Sequence, residues 1–438
     1  MNNVLVVVSV GLLYFLAHAF AGIYRRTKIP DVLLLMIVGL VLGPLLGIVT
    51  PKQLEQVGSI FIAITLIVIL FQSGLGISLD TLRKASSRGV ALTITNFFVT
   101  MIVSAVIVFL TTKISLLLAF MLGATVGGTS SAVVIPLLGQ LKMKSESAAM
   151  LVLESALTDV LCIVFALAFL GIYKGDSPNI SLEMGSVIAS FLVATVLGFF
   201  AACIWAFILN KMRTVNDSIF ATLAFVFVVF GIAELLGFTG YIAALAFGIT
   251  IGNMESIKFL QRIKISRFSF EGVSLNETEK TFFSEIVFIL KTFFFVYIGI
   301  SITITNSWWM YIGLMITVAA FIYRVPIVRL VVPKTTPPED ASLMAIMVPK
   351  GLAAAALASL ALQQGITGGD IIQNVTFAVV LFSIIITSIL IFLLYRTPVS
   401  GLYRRFFSRP GSSSDPPSQS AAATEINSSN IDSQNKTE

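Results

Sequence analysis

Residues 146–173 read ESAAMLVLESALTDVLCIVFALAFLGIY, 28 residues in which Glu154 and Asp159 are the only charges after Glu146. About 20 mostly apolar residues suffice for an α-helix to cross the hydrocarbon core of a bilayer. This run is longer, and it carries Asp159 near its centre with Thr158 beside it and Glu154 about a turn and a half earlier. Charged side chains at such depth are costly and by default mark an ion pathway or a bound ion. An all-α membrane protein is therefore expected.

The rest of the chain follows the same pattern. Of 438 residues, 57% are hydrophobic and 11% charged, and mean hydropathy is +0.98. Soluble domains carry roughly 25% charged residues. Apolar runs place spans at 3–23, 30–49, 57–76, 90–111, 115–140, 146–173, 184–209, 217–237, 239–253, 282–303, 306–330, 341–363 and 370–395, thirteen in all, the ninth short enough to be tilted or re-entrant. The first run, Val4 to Ile23, is too long for a signal-peptide core and ends in Tyr24-Arg25-Arg26 without a small-residue cleavage site.

Loop charges test this division. Twenty-one Lys and Arg residues fall in one set of alternate loops, and only Lys52, Lys113 and Lys174 in the other. Basic loops are retained on the cytoplasmic side, so the N-terminus is expected outside and the C-terminus inside, in a cell membrane. The net charge of +6 is spread along the chain, which argues against a nucleic-acid stripe. Cys162 and Cys203 lie in apolar runs and His18 is the lone histidine, so neither a disulfide framework nor a resident metal or cofactor is expected. The loop from Glu255 to Thr281 reads as an amphipathic interfacial helix or a solvated linker. Residues 396–438, rich in Ser, Pro, Asn and Ala towards the end, read as a disordered cytoplasmic tail after a transmembrane domain at 1–395.

The charges inside spans are Glu154, Asp159, Glu234, Lys291, Arg324 and Lys350. A carboxylate in low dielectric resists ionisation, so it can hold a proton or a dehydrated cation. The inert alternative is a buried salt bridge to Arg324 or Lys350. Asp159 is the expected ion carrier and Glu154 chiefly the partner of an arginine. Lys291 is expected to snorkel or to pair with Glu285.

Two spans look interrupted. Span 5 carries Gly127-Gly128-Thr129-Ser130-Ser131 and span 12 carries Pro349-Lys350-Gly351. Gly and Pro weaken helix interiors; small-residue helix packing is the plainer explanation of either alone, but paired interruptions point to a transporter binding site. Spans 4–6 and 11–13 are offset by seven, an odd number, so an inverted repeat is expected. Broken helices meeting at midplane expose opposed half-helix dipoles. Lys350 could compensate the carbonyl ends, and Thr129 and Ser130 could supply oxygens to a hard cation.

At these residues the sequence resembles the monovalent cation/proton antiporter superfamily, of sodium/hydrogen exchanger type, over about residues 1–395. The supporting segments are Ile29-Pro30 with Gly39-Leu40-Val41-Leu42-Gly43-Pro44, Phe71-Gln72-Ser73-Gly74-Leu75, Glu154 to Asp159, Phe294-Phe295-Val296-Tyr297-Ile298-Gly299 and Pro349-Lys350-Gly351-Leu352. The resemblance implies a homodimer, with a mobile core of spans 4–6 and 11–13 and a dimerisation domain from the other spans. It implies Asp159 as the carboxylate that alternately takes H⁺ and Na⁺ or K⁺, with Thr158, Thr129 and Ser130 around it. It also implies a Glu154–Arg324 pair and Lys350 as charge compensation. The chain departs from the family in carrying Thr158-Asp159 where Asn-Asp or Asp-Asp is usual, Thr129-Ser130 where Thr-Asp is usual, and Lys350 where Arg is usual.

The expected function is exchange of protons for monovalent cations, electroneutral because a single Asp carries the ion. The alternative is a potassium efflux system or gated potassium channel. An enzyme is not expected, since neither His-Glu-x-x-His nor Gly-x-Gly-Asp occurs. An organic-anion symporter would have to place its substrate beside Asp159, which repels it.

Overall fold

The computed structural model describes residues 3–27, 29–77, 79, 87–141, 143–175, 180–212, 219–254, 277–302, 307–397 and 405–408. Among these residues the structure is helical, without strands. The helices are α1 (Asn3–Thr27), α2 (Asp31–Leu40), α3 (Pro51–Gly76), α4 (Ser87–Thr111), α5 (Leu116–Thr125), α6 (Ser131–Leu138), α7 (Ser145–Lys174) and α8 (Ile180–Met212), followed by α9 (Ile219–Leu235), α10 (Gly240–Gly252), α11 (Glu277–Ser301), α12 (Ser307–Val331), α13 (Pro338–Ile346), α14 (Leu352–Gln363) and α15 (Gly369–Arg396). Six of them, α4, α7, α8, α11, α12 and α15, contain runs long and apolar enough to cross a membrane unaided.

Local chemistry explains the departures from plain helix. α2 passes into a π-turn at Val41–Leu45 that contains Pro44; proline has no N–H for the helical ladder, so the turn widens. α5 starts where Ser115 accepts from the Leu118 amide at 3.4 Å, an N-cap. It stops at Thr125, just before Gly127-Gly128, and α6 resumes at Ser131. The chain of span 12 leaves helix at Met347 and resumes at Leu352, across Pro349-Lys350-Gly351. Both expected interruptions are present.

The ninth expected span is α10, 13 residues long, which rise about 20 Å. It is short because protein, not lipid, surrounds it: nearly all its residues are buried, and it packs between α3 and α8. Gly237, at φ +79°, makes the tight turn that leads into it.

Helix association inside a bilayer depends on close packing rather than on a hydrophobic drive, so small residues sit where backbones meet. α2 crosses α11 where a Cβ on Gly39 would strike the Val296 carbonyl and lie 2.8 Å from the Gly299 Cα. α3 crosses α10 where a Cβ on Gly74 would lie 2.6 Å from the Leu245 carbonyl oxygen. Seven spans along the chain, α2 becomes α10 and α3 becomes α11, so each crossing is the image of the other. The same step carries the broken pair α5/α6 onto α13/α14. The inverted repeat is therefore built into the packing.

Helices α4–α7 and α12–α15 pack among themselves, with α4 against α5, α7 and α12, and α15 against α12 and α14. The remaining helices gather around the α2–α11 and α3–α10 crossings. The two groups meet where α3 and α11 touch α14 and where α7 touches α3 and α8. Beyond α15, residues 405–407 form one helical turn whose Phe407 is buried. Arg329 at the end of α12 stacks its guanidinium 4.3 Å from the Phe406 ring centroid and donates to the Phe406 carbonyl, so the start of the expected tail docks on α12. Residues 398–404 and 409–438 of that tail, and the proposed interfacial helix up to residue 276, lie outside the described residues.

Candidate ion-binding site

α7 presents Glu154, Ser155, Thr158, Asp159 and Cys162 to the interior. At 3.6 residues per turn, Glu154 and Asp159 point about 140° apart around the helix. The two acids therefore meet different neighbours.

Glu154 faces α4 and α12. It is 0% exposed, as is Arg324. Arg324 Nη2 donates to Glu154 Oε2 at 2.7 Å, Nη1 donates to Oε1, and Asn96 Nδ2 donates to Oε1 at 3.1 Å. The fork of a guanidinium suits such two-point contact with a carboxylate. Arg324 Nε goes further and donates to the Met344 carbonyl at 3.2 Å. That carbonyl is in the last turn of α13, where the helix ends and leaves its final acceptors without amide partners. One side chain thus neutralises a buried acid and caps a broken helix. The sequence assigned the compensation of carbonyl ends to Lys350; at Met344 the structure gives it to Arg324.

Asp159 faces the crossing of the breaks. Its Oδ2 accepts from Ser131 Oγ at 2.8 Å. Thr129 N–H donates to Thr158 Oγ1 at 3.1 Å, and the Thr158 hydroxyl donates to the Ser155 carbonyl at 3.3 Å. Ser130 N–H donates to the Pro349 carbonyl at 2.8 Å, which ties one interruption to the other. Gly351 leaves room for Ser130, since a Cβ there would collide with the Ser130 hydroxyl. Lys350 is 1% exposed; its backbone amide donates to Ser383 Oγ at 2.9 Å, while its Nζ has no hydrogen-bond partner among the described residues.

A cavity of about 420 Å³ reaches this place, with Ser130, Ser131, Asp159 and Lys291 in its wall. Gly76, Pro136 and Ser284 also line it, on the helix ends that lead to the basic loops. The arrangement offers a part-enclosed carboxylate and hydroxyl oxygens, a donor set suited to a proton or a hard monovalent cation.

The structure brings Asp159, Thr158, Thr129 and Ser130 together, with the Glu154–Arg324 pair on the far side of α7. One expectation changes. Lys291 pairs with Asp31 at 2.9 Å, not with Glu285. Glu234 lies in the last turn of α9, as its place in span 8 led one to expect, and its Oε1 accepts from the Gly240 amide at 2.8 Å, capping α10. Sequence reasoning missed Ser131, Asn96 and Ser383 as partners. Ser131 stood beside two named residues, and only the turn at the start of α6 shows which hydroxyl reaches Asp159.

The family model for the transmembrane sodium/hydrogen exchanger matches residues 11–397. "Na(+)/H(+) antiporter 1" of Methanocaldococcus jannaschii is 27% identical over 194 residues, 42% of this chain and 46% of that relative's length. "Probable Na(+)/H(+) antiporter 2" of the same organism is 27% identical over 321 residues, 69% of this chain and 71% of the relative. Among solved structures, the sodium proton antiporter MjNhaP1 from that organism at pH 8 superposes with a TM-score of 0.70 at 22% identity, covering 89% of this chain and all of that one. An electron-microscopy map of MjNhaP1 gives a TM-score of 0.65 at 21% identity over 94% of this chain. At such identity these two structures establish the fold.

Proposed function

This chain belongs to the sodium/hydrogen exchanger family, and on that premise we propose that it exchanges protons for monovalent cations at Asp159. The observation that carries the reading is the Asp159 carboxylate, bonded to Ser131 in the wall of a cavity beside two hydrogen-bonded helix breaks. A proton and a cation cannot share that carboxylate, so each displaces the other. The protein changes its facing only when the charge is compensated. Thr158, Thr129 and Ser130 support the ion; Lys350 and Arg324 balance charge near it.

The ion is Na⁺, with K⁺ or Li⁺ as further substrates, and the cycle is electroneutral. Glu154 is fully engaged by Arg324, leaving a single carboxylate to load, which supports that stoichiometry. We further read α4–α7 and α12–α15 as a mobile core, the other helices as the dimerisation domain of a homodimer, and thirteen crossings with the N-terminus outside a cell membrane. The family is one of transporters rather than enzymes. The alternative of a potassium channel or efflux system gains nothing from relatives that carry Na⁺/H⁺ antiporter names.

The test is a pH-dye assay in proteoliposomes pulsed with Na⁺, Li⁺ or K⁺, with and without an imposed voltage. Wild type should move protons on Na⁺ addition independently of voltage, and Asp159→Asn should not while remaining a folded protein. Normal exchange by that variant would remove Asp159 as carrier.

A further inference from the structure

The cavity that ends at Asp159 has a second charged wall residue, Lys291 on α11. A bare ammonium facing a cation pathway repels what the pathway must admit, and low-dielectric walls strengthen such fields. Asp31, in the first turn of α2, holds the Lys291 Nζ at 2.9 Å, with both side chains 13% exposed. Phe288, also in the wall, has its ring centroid 5.5 Å from the same nitrogen.

The pair has a rigid base. Gly39 and Gly299 bring α2 and α11 into backbone contact, and Asp31 and Lys291 each lie eight residues before their glycine. On two helices running the same way, that places both groups about 12 Å from the crossing, side by side. Asp31 is 260 residues from Lys291 in the chain, so the neutralisation exists only in the folded protein.

We propose that Asp31 is a positioning residue for cation entry: it cancels the Lys291 charge in the cavity wall and so sets the apparent affinity for the monovalent cation. Removing Asp31 leaves the ammonium to oppose entry. Removing Lys291 leaves a carboxylate behind the wall that attracts cations. Removing both restores neutrality.

This rests on the cation/proton exchange reading above. The test measures Na⁺-dependent proton movement by the full chain in proteoliposomes, as KM against kcat, for wild type, Asp31→Asn, Lys291→Gln and the double variant. Asp31→Asn should raise KM for Na⁺ about 5-fold with kcat little changed, and Lys291→Gln should lower KM. The double variant should return near wild type, and added choline chloride should shrink the Asp31→Asn shift by screening. KM moving in the same direction in both single variants overturns the proposal. So does a loss of kcat and thermal stability in both with KM unmoved, the mark of a mere brace. Asp159→Asn is run alongside: exchange that survives it removes the carrier site yet leaves the KM comparison readable.

Discussion

The backbone amide of Ser130 donates to the carbonyl of Pro349 at 2.8 Å, so the two helix interruptions are hydrogen-bonded to each other where they cross. Each break leaves backbone groups without helical partners, which is costly away from water. Here one break satisfies part of the other's need. Gly351 lets the two breaks approach at Ser130, Gly128 lies against Thr158 and Cys162 of α7, and Ser131 reaches Asp159. Four expectations follow from this geometry and its surroundings.

Ser131→Ala removes the hydroxyl that donates to Asp159 Oδ2. A hydrogen bond to a charged group contributes about 1.5–3 kcal/mol, so the ion-loaded carboxylate loses that much support. The apparent KM for Na⁺ should rise about 10-fold or more with the protein still folded. Sodium titrations in proteoliposomes at fixed pH read this directly.

Arg324→Ala strands the Glu154 carboxylate, which is wholly buried, and frees the Met344 carbonyl. Breaking a buried pair from one side costs about 3–5 kcal/mol. A large drop in melting temperature in detergent is expected, with poor expression. The paired change Arg324→Met with Glu154→Leu removes both charges and should recover a good part of that loss.

Gly351→Ala puts a methyl group into the Ser130 side chain at the crossing. Overpacking of this kind costs about 1–3 kcal/mol. The variant should be less stable and slower, since the tie between Ser130 and Pro349 must lengthen. Ser130→Gly in the same chain should relieve the collision and raise the melting temperature again.

The proposed competition at Asp159 fixes the sign of the pH dependence. On that proposal protons displace Na⁺ as pH falls, so the apparent KM for Na⁺ should rise, toward a limit of about tenfold per pH unit for one-for-one exchange. Maximal rate at saturating Na⁺ should be far less sensitive. Exchange rates over a Na⁺ and pH grid check this, and a KM that does not respond to pH would end the shared-site mechanism.

Much of this was legible in the chain because its signals are local. Hydropathy marks helices that face lipid or one another. Gly127-Gly128 and Pro349-Lys350-Gly351 break helices by their own backbone chemistry, and Asp159 and Glu154 stand out because charge is scarce in such runs. The odd offset between the two broken spans already required an inverted repeat. α10 and α2 were harder. A short buried helix owes its length to its neighbours, and the π-turn at Val41–Leu45 moved the end of α2 inside its apolar run.

The sequence by itself therefore determined that the chain builds membrane helices, which of them break, and that two acids sit within the sixth span, α7. The division of labour between Asp159 and Glu154 was already expected from the chain. The tertiary structure alone decided which neighbours each acid meets, Asn96 joining Arg324 on Glu154 and Ser131 reaching Asp159, because that depends on how α7 is rotated among the other helices. It also decided that Ser131 rather than Ser130 reaches Asp159, that Arg324 caps Met344, and that Lys291 finds Asp31. Each of these joins parts of the chain that no local pattern links, and only the packing of the helices brings them within a hydrogen bond.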